Sequence, residues 1–81
     1  MRPTPPARIE DALIANLDFY FEQLGDGKPH ALHKMALDAM ERPLIRYALE
    51  RCDRNLSKTA DLLGLSRNTL RKKMAQLRIE V

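Results

Sequence analysis

Cysteine occurs once in these 81 residues, at Cys52, so no intrachain disulfide can form. A lone thiol fits a reducing compartment, where it packs more often than it reacts. No structural metal is expected either. His30 and His33 lie one helical turn apart, but with no thiolate pair nearby they do not complete a tetrahedral zinc site. No apolar run approaches the ~20 residues needed to span a bilayer. Residues 1–8 are proline-rich and lack an apolar segment, so they do not read as a signal peptide. The expectation is a cytoplasmic protein with no membrane contact. The three glycines form no phosphate-cradling loop, and no carboxylate pair or nucleophile with a base stands at a workable spacing. Asp11, Asp18 and Glu22 share one polar helix face, where acids are ordinarily solvated. The sequence therefore predicts no enzyme, no cofactor and no small-molecule substrate.

Charge of one sign is scarce in the first half and abundant in the second. Residues 51–81 carry eight basic side chains against three acidic ones, a net +5, while residues 1–50 carry six against eight, a net −2. A small domain with one basic end presents an oriented field, and polyanions are its natural partners.

The chain lacks repeats and shows no strand pattern, but helical periodicity is plain. Pro3, Pro5 and Pro6 predict an extended or disordered tail over residues 1–8. Ile9, Leu13, Leu17, Tyr20 or Phe21, and Leu24 then recur at steps of three and four, ending at Gly25-Asp26-Gly27. A second helix is expected from about Pro29 to Arg51. Leu32, Met35, Ala36, Ala39, Met40, Leu44, Tyr47 and Ala48 form one apolar stripe on it, and Leu37, Ile45 and Leu49 another. A helix apolar on most of its circumference needs several covering neighbours, and a chain this short has few. Packing of the first two helices against their copies in a second subunit supplies the cover. The alternative is a monomer in which the C-terminal helices cover both stripes. Pro43 removes one backbone donor and clashes with the carbonyl at Ala39. Because Arg42 is a poor cap for a new helix, a kink is expected there rather than a division.

Arg51-Cys52-Asp53-Arg54 reads as a polar break, followed by Asn55 and Ser57 as capping candidates. A short helix from Leu56 or Ser57 to Leu63, a turn at Gly64, and a last helix from Arg67 to about Leu77 capped by Ser66 complete the reading. This is the spacing of a helix-turn-helix. Ala60 is the small residue where two steeply crossed helices approach, Gly64 tolerates a positive φ, and Leu63, Leu65 and Leu70 pin the pair together. Thr59 and Lys73 stand where many such motifs place apolar residues. In this architecture the N-terminal turn of the second helix faces base edges. Arg67 suits a bidentate bond to guanine O6 and N7. Arg71, Lys72 and Lys73 suit phosphates. Asn55, Ser57 and Lys58, opening the preceding helix, are placed to hold a phosphate oxygen. Ser66, Asn68 and Thr69 are the polar companions of Arg67. Weak sequence preference is expected, because no carboxylate or amide is as well placed as Arg67.

The segment from Asn55 to Met74 closely resembles the DNA-binding end of the Fis family, the factor for inversion stimulation, and Thr69-Leu70-Arg71-Lys72-Lys73 is its most specific part. The Tyr20-Phe21 helix end, the Gly25-Asp26-Gly27 break and Arg42-Pro43-Leu44 extend the likeness upstream, over roughly Ile9 to Ile79. The resemblance implies an all-α homodimer of four helices per chain, whose first two helices interlock and whose second is kinked at its proline. It also implies recognition helices set closer than one turn of straight DNA, so that binding bends the duplex and reads its deformability. By position it makes Arg67 the main guanine reader, places Thr69 and Lys72 near bases or adjacent phosphates, and has Asn55, Ser57, Arg71 and Lys73 grip the backbone.

The chain departs from the family's enteric member at Ser66, which stands where that protein has asparagine. Only eight residues precede Ile9, where that member carries a longer arm that contacts DNA recombinases. DNA bending with transcriptional or nucleoid roles is therefore expected, without stimulation of site-specific inversion. The resemblance divides the chain into a tail over residues 1–8, dimerisation helices over 9–51 and a DNA-binding region over 52–81. Expected partners are double-stranded DNA, a second copy of the chain and RNA polymerase. Two other readings stand beside it. One is a protein-interaction module built on the helical core. The other is the terminal domain of an enhancer-binding activator, which the segment Ala48 to Ile79 alone would fit equally. The Met1 start and the lack of an ATPase domain favour the free-standing form.

Overall fold

The computed structural model describes residues 8–80. The tail expected over residues 1–8 lies outside them except for Arg8. The described residues are all-α, with four helices: α1 Ile9–Leu24, α2 Leu32–Arg51, α3 Leu56–Leu63 and α4 Arg67–Leu77. They form two compact units, one around α1 that ends at His30 and one from Ala31 onward that holds α2, α3 and α4. None of the four helices is long and apolar enough to cross a membrane.

In the first unit, α1 starts and stops where its sequence indicates. Glu10 and Asp11 place negative charge in the first turn, where the helix dipole favours it. Gly25, at φ 63°, ends the helix with its N–H donating to the Phe21 carbonyl at 3.2 Å. The helix has no buried residue at all. Leu17, Tyr20 and Leu24 are half-buried, while Ile9, Leu13, Ile14, Phe19 and Phe21 are exposed.

The second unit opens on α2. This helix begins at Leu32, later than the expected Pro29, because Ala31 adopts a left-handed conformation (φ 50°, ψ 48°) that interrupts helical geometry. No side chain caps it. The helix runs through Pro43 without dividing, as expected from the poor cap at Arg42. Ile45, Ala48 and Leu49 are its buried residues. Ala48 thus joins the Ile45 and Leu49 stripe rather than the other one. Met40, Leu44 and Tyr47 remain 43%, 47% and 65% exposed, so α3 and α4 cover one stripe and leave the second open.

Ile45, Leu49, Ala60, Leu70, Met74, Leu77 and Ile79 make the buried core, with Leu56 and Leu63 packed on it. Three helices contribute to it, and Ala60, 3% exposed, gives them room to approach. Thr59 is completely buried, and its hydroxyl donates to the Asn55 carbonyl at 2.7 Å. A hydroxyl at an inner position therefore carries no unpaired polar group into the core.

The polar break between α2 and α3 carries backbone strain. Asp53 (φ 51°) and Arg54 (φ 62°) are consecutive left-handed residues without a glycine between them. The Arg54 N–H still closes the end of α2 by donating to the Leu49 carbonyl at 2.7 Å. Arg54 also pairs with Glu50, but both side chains are largely exposed, where such pairs contribute little. Arg54→Gly is accordingly expected to raise stability by about 0.5–1 kcal/mol, since it relieves the positive φ. Thermal melting checks this; an unchanged or lower Tm would mean that the strain is not there.

Candidate nucleic-acid interface

The recognition geometry is assembled from local capping. Asn55 caps α3, its side-chain oxygen accepting from the Lys58 N–H at 3.0 Å. At the other end Gly64 sits at φ 74°, ψ 28°, and the Leu65 N–H donates to the Ala60 carbonyl at 2.9 Å. This is a Schellman closure, which needs a left-handed residue at that point. Two residues on, Ser66 caps α4 by accepting from the Thr69 N–H at 3.1 Å, and its hydroxyl donates to Thr69 Oγ1 at 2.9 Å. Both helix starts and the turn between them are thereby set within a dozen residues.

Polar side chains stand exposed at the two helix starts and along the second turn of α4. Asn55, Ser57 and Lys58 on the α3 side, and Ser66, Arg67, Asn68, Thr69, Arg71 and Lys72 on the α4 side, are all exposed. Arg67 Nη1 donates to Ser57 Oγ at 3.2 Å, linking the first turns of the two helices. Among the described residues Lys58, Arg67, Arg71 and Lys72 make no ion pair with a carboxylate, so their donors remain open to an external anion.

Lys73 stands apart from this group. Its ammonium lies 2.9 Å from Glu41 Oε2 on α2, with the two side chains only 29% and 17% exposed. Its ammonium, expected from sequence to suit a phosphate, is paired with a carboxylate of its own chain. Sequence reading missed Glu41 because 32 positions separate the partners. A signal was nevertheless there: Lys73 falls three after Leu70 and four before Leu77, on the edge of the buried stripe of α4. A lysine on such a stripe either carries its ammonium out to water or meets an acid from a neighbouring helix. Arg42 was missed for the same reason; its Nε donates to the Leu77 carbonyl at 3.4 Å.

Two capped helices joined by a left-handed glycine, with open cations on the start of the second, define a helix-turn-helix protein. Residues 36–77 match the family model described as bacterial regulatory protein, Fis family, which is just over half of the chain. The chain belongs to that family. It is 41% identical over 68 residues to a putative Fis-like DNA-binding protein of Neisseria meningitidis serogroup A, covering 84% of this chain and 86% of that one. A protein of the same description from Ralstonia nicotianae is 43% identical over 68 residues, 84% of this chain and 88% of its own. The DNA-binding transcriptional regulator NtrC of Rhizobium meliloti is 46% identical over 74 residues, which is 90% of this chain but 15% of that protein. Likeness to the activators therefore extends well upstream of Ala48, and α1 and α2 do not by themselves separate the two groups.

Proposed function

We propose that this chain is a Fis-like DNA-binding and DNA-bending transcription regulator or nucleoid-associated protein, with no catalytic activity. The observation that carries the reading is the exposed α3–α4 surface, where Arg67 and Ser57 are joined and, among the described residues, four cations pair with no carboxylate. The matches to Fis-like DNA-binding proteins along most of their length support it. In this reading α4 enters the major groove. Arg67 reads guanine, with Asn68 and Thr69 beside it, and Asn55, Ser57, Lys58, Ser66, Arg71 and Lys72 hold the backbone.

The same reading makes the protein a homodimer in the nucleoid, with residues 9–51 as the dimerisation region and 52–81 as the DNA-binding region. Support comes from α1, which buries nothing, and from the exposed Met40, Leu44 and Tyr47 on α2. Helix α2 would then serve two cores, one with α3 and α4 and one with the partner. RNA polymerase is a further proposed partner. The likeness to NtrC favours one second reading, in which this sequence serves as the DNA-binding region of a larger activator.

Fluorescence anisotropy across a salt series tests the reading, using two duplexes alike except for an A·T-rich or G·C-rich centre. Tight binding with a steep salt slope and preference for the A·T-rich centre is expected. Equal binding to both would remove the bending mechanism but keep the helix-turn-helix. No binding at low salt would reject DNA as the partner.

A further inference from the structure

Two neighbouring residues of α2, immediately before Pro43, reach α4 one helical turn apart. Glu41 meets the Lys73 ammonium at 2.9 Å, and Arg42 Nε meets the Leu77 carbonyl at 3.4 Å. The Leu77 carbonyl belongs to the last turn of α4, where carbonyls lack intrahelical partners and a cation is favoured. Among the described ion pairs this is the one least exposed on both sides; the other three join residues on a single surface segment. A partly buried pair is screened by salt far less than an exposed one. Lys73 is therefore held on its own chain under conditions in which Arg71 and Lys72 are free.

We propose that Glu41 sets how many phosphates the recognition helix grips, by holding Lys73 out of the contacting set. This rests on the DNA-binding reading above and adds to it a residue that touches no DNA. Glu41 is a positioning residue. With it in place α4 offers Arg71 and Lys72 to the backbone, and Lys73 instead ties α4 to α2. With the carboxylate neutralised, the Lys73 ammonium loses its charged partner, and a phosphate becomes the stronger acceptor within reach.

Counterion release makes the idea countable. Each phosphate neutralised steepens log K against log[salt] by about 0.9, and one added contact is worth about eightfold in affinity at ~0.1 M salt. The full chain is titrated with one duplex across a salt series as wild type, Glu41→Gln, Lys73→Gln and the double variant, each checked for folding by circular dichroism. Wild type and Lys73→Gln are expected to share one slope. Glu41→Gln is expected to bind about eightfold tighter for each protomer engaged, with a slope steeper by about 0.9 per protomer. The double variant should return to the wild-type slope, which separates capture of Lys73 from the mere loss of a negative charge. A slope in Lys73→Gln shallower than wild type by about 0.9 would show that Lys73 already holds a phosphate, and would overturn the proposal. So would a Glu41→Gln slope equal to wild type, which is what a purely structural bridge predicts. If Glu41→Gln does not fold, Glu41→Ala is read against the same slopes in its place, and a shallower Lys73→Gln slope alone still overturns the proposal. Failure of wild type itself to bind at low salt rejects the DNA reading, and the proposal with it, before any variant is compared.

Discussion

Arg67→Glu is expected to weaken binding to duplex DNA by more than about a hundredfold while leaving self-association unchanged. Arg67 is exposed at the first position of α4 and is already oriented by its hydrogen bond to Ser57. A bidentate arginine–guanine contact is worth about 1–3 kcal/mol of discrimination. Charge reversal goes further, because it sets a carboxylate against the negative field of the duplex where a cation stood. The substituted side chain lies outside the buried core, so the fold should survive. Anisotropy measures the first effect and sedimentation the second. Loss of self-association with DNA binding intact would favour the protein-interaction reading. An unchanged affinity would remove Arg67 from the interface.

Leu70→Ala is expected to have the largest effect on stability, about 2–5 kcal/mol. Leu70 has no exposed surface and lies in the core shared by all three helices of the second unit. A residue so enclosed leaves a cavity that rigid helix backbones close only in part. Small domains hold about 5–15 kcal/mol in total, so the substitution should lower Tm by about 10 °C or more. Leu62 supplies the control, being a leucine 59% exposed on α3. Leu62→Ala should change stability by no more than about 0.5 kcal/mol. Equal effects from the two substitutions would mean that the α3–α4 pair is not packed as described.

What could be read from the sequence divides along a physical line. The bounds of α3 and α4 were legible because Asn55, Gly64 and Ser66 act on amides and carbonyls within five residues of themselves. Gly25 ended α1 for the same reason. The start of α2 was not legible, since Ala31 takes a left-handed conformation that nothing in its side chain demands. Nor was the position of Ala48, because two apolar stripes on one helix do not say which neighbour covers which. Nine of the ten residues expected on the interface are exposed on α3, α4 or their caps. The tenth, Lys73, was assigned by its charge, while its environment is set by Glu41 on another helix. Short-range chemistry is written in adjacent letters. Tertiary pairing across 32 positions is not.

The core of the second unit is closed by residues that lie between Ile45 and Ile79. In the proposed homodimer, closure of that core is a first-order event, independent of how much protein is present, whereas pairing of two copies is second-order. At the low concentrations that prevail early in synthesis, the reading head should be finished before its owner has found a mate. Newly made protomers would then meet as preformed halves, and two related chains that share the α1–α2 surface would be free to exchange partners without unfolding either recognition helix.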